Sequence, residues 1–220
     1  MKVGFFNIYH GSHEFQQTIH LVLADMMIRS VRKAMPDVEI VQLTDEKSPV
    51  IVGVDRVRRL TAKEPMAVQC VTHYSQCVGN WLLVDTDVLV QKDVRHVFDE
   101  PFDVAVCDRD GTTTEGEGSG FELFEKMPHN IGIMFSRSPA FWLAVREKLV
   151  LMDEKKQQWM GNQYAACEVI AEGKFNVKVL KGTDYNCPPM NKEDRCTEAS
   201  IVHFKGQMRK KMMLERFAEV

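Results

Sequence analysis

Short runs of Val, Ile, Leu and Phe alternate along this chain with longer segments whose apolar residues recur at helical spacing, and that alternation restricts the fold more than any other feature. Strands covered on both faces read as continuous apolar runs, and the helices that cover them read with a period of about 3.6. Residues 3–8, 38–43, 81–84, 103–107, 131–135, 177–180 and 201–204 predict strands. A helix is expected over 14–34, with Phe15, Ile19, Val22, Leu23, Met26 and Ser30 on one side and Pro36 as its stop. Others are expected over 65–78 and 158–172, and one opens at Ser138-Pro139, a capping residue followed by proline, with Phe141, Val145, Leu149 and Met152 along its buried stripe. The order is that of an α/β sheet protein. Residues 110–120, DGTTTEGEGSG, lack apolar periodicity and predict a mobile loop, placed as a lid after a central strand.

At 220 residues the chain can bury one substantial core, roughly 70% of its unfolded surface. Its 28 Lys and Arg against 31 Asp and Glu leave a formal charge of −3, so there is no global basic field of the nucleic-acid-binding kind, although local patches remain open. No stretch approaches the ~18 apolar residues of a membrane helix, and the start of the chain turns polar at Asn7, so the expected location is the cytoplasm. The cysteines Cys70, Cys77, Cys107, Cys167, Cys187 and Cys196 form no C-x-x-C pair and read as reduced thiols, mostly buried.

The sharpest chemical feature is Trp81-Leu-Leu-Val-Asp85-Thr86-Asp87, a buried strand that runs straight into two carboxylates. Side chains at i and i+2 of an extended chain project to one side, so Asp85 and Asp87 can converge on one cation at a strand's carboxyl end, where open α/β sheets bind ligands. Hard oxygen ligands suit Mg²⁺ or Mn²⁺ that completes its shell from a diphosphate. Two solvated turn aspartates are the other reading.

Residues 74–99, YSQCVGNWLLVDTDVLVQKDVRHVFD, resemble the D-x-D region of the GT-A glycosyltransferases, especially the group of glycogenin and the bacterial lipopolysaccharide glycosyltransferases. Other matches follow in the same order. Asn130 and Gly132 resemble the N-x-G segment facing the donor sugar, Trp159 to Ala165 resembles the G-D-Q segment, and IVHFKG at 201–206 resembles the terminal V-H-F-x-G. The resemblance implies a single GT-A domain over 1–220, Rossmann-like, with a mixed, mostly parallel central sheet flanked by helices. Residues 1–107 would hold nucleotide and metal, and 108–220 the donor sugar, the acceptor and the C-terminal ligand. It implies a metal-dependent transferase using a nucleotide-diphosphate sugar, UDP favoured, with retention and a hydroxyl acceptor. Asp85, Asp87 and His203 would be the Mn²⁺ or Mg²⁺ ligands, while Asn130 and Gln163 would bond donor hydroxyls. Two departures stand out: Asn162 replaces the acid of G-D-Q, and the usual lysine before the D-x-D has only Lys63 and Gln69 as approximate counterparts.

Asn7 and Tyr9 can hold base and ribose or simply close a strand, and Asp45 can sit near the base or cap a turn. Lys205, Gly206, Arg209 and Lys210 are placed to fold over a diphosphate, with Lys211 as either a further contact or a solvated tail residue. By its apolar neighbours alone, His203 reads as a core histidine; the resemblance makes it a ligand. Asp93 reads as the cap of a short helix on which His96 is exposed, and Asp108 and Asp110 as loop carboxylates or acceptor-orienting groups. The large acceptor is a glycan, lipopolysaccharide, protein side chain or hydroxylated DNA base, the last with Arg56, Arg58, Arg59 and the 205–211 cluster on phosphates. The alternatives are a degenerate nucleotide-sugar-binding protein, motivated by Asn162, and a sugar nucleotidyltransferase, disfavoured by the single glycine in NIYHGSHEF.

Overall fold

The computed structural model describes residues 1–9, 14–61, 63–109, 127–158 and 160–216. The loop expected at 110–120, including Asp110, lies outside them, as do Trp159 and the side chain of Phe15. A seven-stranded sheet is built from β1 (Lys2–Phe6), β2 (Glu39–Asp45), β3 (Arg56–Leu60), β4 (Trp81–Val84), β6 (Val104–Asp108), β7 (His129–Ser136) and β8 (Val177–Leu180), in the order β3-β2-β1-β4-β7-β6-β8. Only β7 runs against its neighbours, so β1, β4 and β6 all end at one edge. A second sheet pairs β5 (Val88–Val90) with β9 (Ile201–His203).

Central strand β4 shows why its sequence reads as unbroken apolar residues. Leu82 and Val84 enter a core shared with Ala24, Met27, Ile28 and Val31 of α1 (Glu14–Ala34). Trp81 and Leu83 enter the opposite core, with α2 (Met66–Tyr74), α3 (Pro139–Leu149) and α5 (Gly161–Ala171). Burial on both faces leaves no position for a polar residue. A third cluster joins Leu23 and Met26 of α1 to Leu89, Val202, Phe204 and Met213, the last on α7 (Gly206–Glu215). Ser138 caps α3 by accepting from the Phe141 N–H at 3.4 Å, with Pro139 as its first residue.

Several local expectations shift. Strand β3 was hidden by its sequence, RVRRL, because three arginines on an edge strand carry no apolar signal. Arg56 pairs with Glu39, Arg58 lies over the Trp81 ring and bonds the His73 carbonyl, and Arg59 bonds the carbonyls of Asp45 and Ser48. The helix expected over 158–172 is two, α4 (Glu154–Gln158) and α5, separated by Met160 at φ 61°. Asp93 is not the cap residue of the one-turn 3₁₀ helix Arg95–Asp99; that is Val94, and Asp93 accepts from the Arg95 N–H at 2.9 Å and pairs with the Arg95 guanidinium. Four of the six cysteines are buried and none forms a disulfide, with the Cys187 and Cys196 thiols hydrogen-bonded to each other. A four-residue helix α6 (Gly182–Tyr185) follows β8. Among the described residues no helix is long and apolar enough to cross a membrane.

Two polar residues inside this frame are measurable. Ser30 Oγ donates to the Met27 carbonyl at 2.7 Å and accepts from the Val90 N–H at 3.0 Å, tying α1 to β5. Ser30→Ala leaves that buried N–H unpaired and is expected to cost about 1–3 kcal/mol in urea denaturation. His73 is fully buried, its Nε2 2.9 Å from the Thr44 carbonyl, and desolvation pushes its pKa down to about 4. The unfolded chain therefore takes up this proton first, so His73 stabilises fully above pH ~6.5 and the contribution, about 3 kcal/mol, is lost as pH falls towards 4. Denaturation midpoints across that range should show the slope, and His73→Gln should flatten it.

Candidate metal centre

Strand β4 delivers its last residue to the sheet edge, and the Asp85 N–H then donates to the Gly132 carbonyl at 2.7 Å, which anchors the turn to β7. The chain re-enters extended form as β5, where Val88 pairs with His203 and the Phe204 N–H donates to the Asp87 carbonyl at 2.8 Å. This ladder brings the C-terminal histidine to the D-x-D. One ligand atom each from Asp85, Asp87 and His203 lie within 4.8 Å of one another. His203 Nε2 is 3.7 Å from Asp85 Oδ2 and 3.3 Å from Asp87 Oδ1.

The surroundings act on the protonation of all three groups, in different directions. His203 is buried, and desolvation lowers its pKa despite the opposing pull of Asp87, so the ring is neutral at pH 7. Its Nδ1–H donates to Asn186 Oδ1 at 2.8 Å, which turns the Nε2 lone pair toward the carboxylates. Desolvation opposes the charge on Asp87, but the partners around it, Lys210 among them, outweigh it and hold that carboxyl well below the usual range. Lys210 Nζ is 3.1 Å from Asp87 Oδ2. Asp85 is raised, by desolvation and then by the charge of Asp87. Its side chain is 55% exposed where that of Asp87 is 9% exposed, so Asp85 forms the open side of the group. Two carboxylates and an imidazole are a donor set that fits Mg²⁺ or Mn²⁺.

Gly132 closes the back of the site. A Cβ there would stand 2.5 Å from both Asp85 Oδ2 and His203 Cε1, so only glycine lets these ligands meet. The Gly132 N–H donates to Asn130 Oδ1 at 3.0 Å, and Asn130 Nδ2 donates to Gln163 Oε1 at 3.4 Å. Asn130, Gly132 and Gln163 therefore form one connected wall beside the acidic pair.

The other residues marked in the sequence divide. Asn7, Tyr9 and Asp45 gather at the carboxyl ends of β1 and β2: Gln42 donates to Asn7 Oδ1 at 3.2 Å, and the Tyr9 N–H donates to Ser48 Oγ at 3.0 Å. Desolvation pushes the Tyr9 hydroxyl up to about 12, against a hydrogen bond with Asn7. Asp45 Oδ1 accepts from the N–H groups of Lys47 and Ser48, a turn role. Lys205 and Gly206, the latter at φ 79°, start α7. Arg209 is buried with Nε 2.9 Å from the Pro189 carbonyl, a bond that holds its own segment in place. Asp108 accepts from the Gly182 N–H at 2.6 Å. Gln69 is buried and bonded to the Glu64 carbonyl, Lys63 and Lys211 are exposed, and Asn162 contacts Cys70.

Three contributors escaped the sequence. Asn186 lies in a segment without periodicity, and only the bridge between Cys187 and Val202 brings it to His203. His20 on α1 lies within electrostatic reach of Lys210 and Asp87, and nothing in its helix marks it. His73 supports β2 from α2, where it reads as one more helical polar residue.

No family model and no curated protein matches the chain by sequence. Solved structures do match its fold. A glycosyltransferase involved in glycosylation of the major capsid of PBCV-1 aligns over 100% of both chains with TM-score 0.63 at 14% identity. The galactosyltransferase LgtC, in complex with donor and acceptor sugar analogs, aligns over 100% of this chain and 94% of its own with TM-score 0.54 at 15% identity. The bifunctional WbbM aligns over 100% of this chain and 50% of its own with TM-score 0.65 at 12% identity. The chain has the GT-A glycosyltransferase fold, and its Asp85-x-Asp87 group fits the D-x-D of that fold.

Gly132→Ala should weaken Mn²⁺ binding at least about tenfold, read by calorimetry, with an unchanged circular dichroism spectrum; Asn186→Ala, which removes the acceptor for His203 Nδ1, should cost about 10–100-fold.

Proposed function

We propose that the protein is a metal-dependent glycosyltransferase that transfers a sugar, hexose or pentose, from a nucleotide-diphosphate donor, UDP-sugar favoured, to a hydroxyl acceptor with retention. The observation that carries the reading is the meeting of Asp85, Asp87 and His203 around Gly132 at the carboxyl end of β4. Residues 1–220 act as one GT-A domain, 1–107 supplying the nucleotide and metal side and 108–220 the sugar and acceptor side. Six thiols without a disulfide agree with a reducing cytoplasmic setting.

Asp85, Asp87 and His203 would hold Mn²⁺ or Mg²⁺. When bound, the ion supplies positive charge against the diphosphate as it leaves. Asn7, Tyr9 and Asp45 hold base and ribose. Lys205 and Gly206, at the start of α7, and Lys210 place N–H groups and positive charge toward the phosphates, with Arg209 holding that segment through Pro189. Asn130 and Gln163 bond hydroxyls of the sugar and orient it. The anomeric C–O bond breaks with its electron pair going to the diphosphate oxygen. The acceptor oxygen attacks the same face, and its proton passes to that departing oxygen, so no carboxylate base is needed. Asp108, bonded to Gly182, is committed elsewhere.

A glycan-type acceptor is favoured over DNA, because Arg56, Arg58, Arg59 and Arg209 are all engaged within the protein. Incubation with UDP- and GDP-sugars should release nucleoside diphosphate in a Mn²⁺-dependent manner by mass spectrometry, and Asp87→Asn should reduce release at least about 100-fold at unchanged fold. Donor binding without turnover, with any acceptor, would favour a binding protein instead. No donor binding with metal would end the transferase reading.

A further inference from the structure

Arg109 follows β6 at the same sheet edge as Asp85, and its side chain is buried, only 7% exposed. Its backbone N–H is used, donating to the Pro128 carbonyl at 3.1 Å. Its guanidinium Nε has no hydrogen-bond partner, and among the described residues no carboxylate pairs with the group. Cys167 on α5 and His129, whose Nδ1 is also buried without a partner, lie within its electrostatic reach. A desolvated charge opposes folding where it has no counter-charge, and among the described residues Arg109 has none, so its burial calls for a use.

Its position supplies one. Cys167 is one helical turn from Gln163 on the same face of α5, and its thiol donates to the His129 carbonyl at 3.7 Å. Gln163 in turn bonds Met127 Sδ, the Ile131 N–H and Asn130. The guanidinium therefore adjoins the wall that meets the sugar, about one helical turn beyond Gln163. A planar guanidinium is suited to bidentate pairing with a carboxylate or phosphate, and neutral sugar hydroxyls do not offset its charge.

We propose that a sugar seated against Asn130 and Gln163 carries an anionic group, a carboxylate or a phosphate, that is bound by Arg109. This rests on the transferase reading above and adds a specificity determinant to it. The anion belongs either to the donor sugar or to the acceptor, and two calorimetric arms separate them. In the donor arm, UDP-glucuronic acid and UDP-glucose are titrated with Mn²⁺ present. In the acceptor arm, glucuronic acid, glucose 6-phosphate and glucose are titrated into protein saturated with UDP and Mn²⁺.

In one arm an anionic probe should bind about tenfold more tightly than its neutral counterpart. Arg109→Gln should erase that preference and Arg109→Lys keep part of it, while UDP and Mn²⁺ bind all three proteins alike. Thermal unfolding of Arg109→Met adds a readout that needs no ligand: removal of an uncompensated charge should leave Tm unchanged or raise it. Equal binding of anionic and neutral probes in both arms overturns the inference alone, as does a preference that survives Arg109→Gln. A large fall in Tm for Arg109→Met also overturns it, because the guanidinium is then paired inside the folded chain. Failure of UDP with Mn²⁺ to bind the wild type sinks the transferase reading itself, and the inference with it.

Discussion

The short antiparallel ladder between β5 and β9 is the contact on which the centre depends. It pairs Val88 with His203 and Val90 with Ile201, and without it the histidine and the two aspartates have no reason to meet. So few strand residues do not hold by hydrogen bonds alone, since isolated two-strand ribbons are marginal in water. The ladder is held from behind by Leu23, Met26, Leu89, Val202, Phe204 and Met213, and from the side by Ser30 and the Gln91–Ser200 bond. Helix α1 thus covers the main sheet and also backs the strand pair that assembles the ligands.

Charge is arranged around that pair so that one negative group is enclosed and the other faces outward. Asp87 is enclosed and paired with Lys210 and His203, whereas Asp85 is open. Desolvation and then the neighbouring charge of Asp87 raise Asp85, the second being what two carboxylates placed this close produce. The imidazole between them stays neutral because burial outweighs Asp87 and because Asn186 occupies Nδ1. Coordination needs that form of the ring, and the polypeptide itself enforces it.

Much of this was legible in the sequence, for a physical reason. Strand β4, buried on both faces, has no polar position that could blur its signal, β7 keeps the apolar run Ile133–Phe135, and the 14–34 helix is bounded as its periodicity predicts. D-x-D, N-x-G and H-F-x-G are local in sequence, so their residue types survive as patterns. What was hidden depends on contacts between distant segments. Arg56–Leu60 becomes a strand because Trp81, Asp45 and Ser48 receive its arginines, and none of these is nearby in sequence. Asn186 gains its role only from the Cys187–Val202 bridge. The break at Met160 reflects the packing of Gly161, where a Cβ would lie 2.2 Å from the Lys156 carbonyl oxygen.

The fate of the other arginines gives Arg109 its meaning. Arg32 bonds the Val38 carbonyl, Arg137 those of Glu100 and Phe98, Arg209 that of Pro189 and Arg216 that of Asp194. In each of these a guanidinium that leaves water is met by backbone oxygens, and its donors are spent on holding segments together. Carbonyls are available near Arg109 as well, at Pro128 and His129, yet they accept from the Arg109 N–H and the Cys167 thiol. The guanidinium Nε is thus left without a partner beside carbonyls that other donors have met. A structural arginine at that position would have been satisfied as its counterparts are, and one that binds a ligand must be kept from being so.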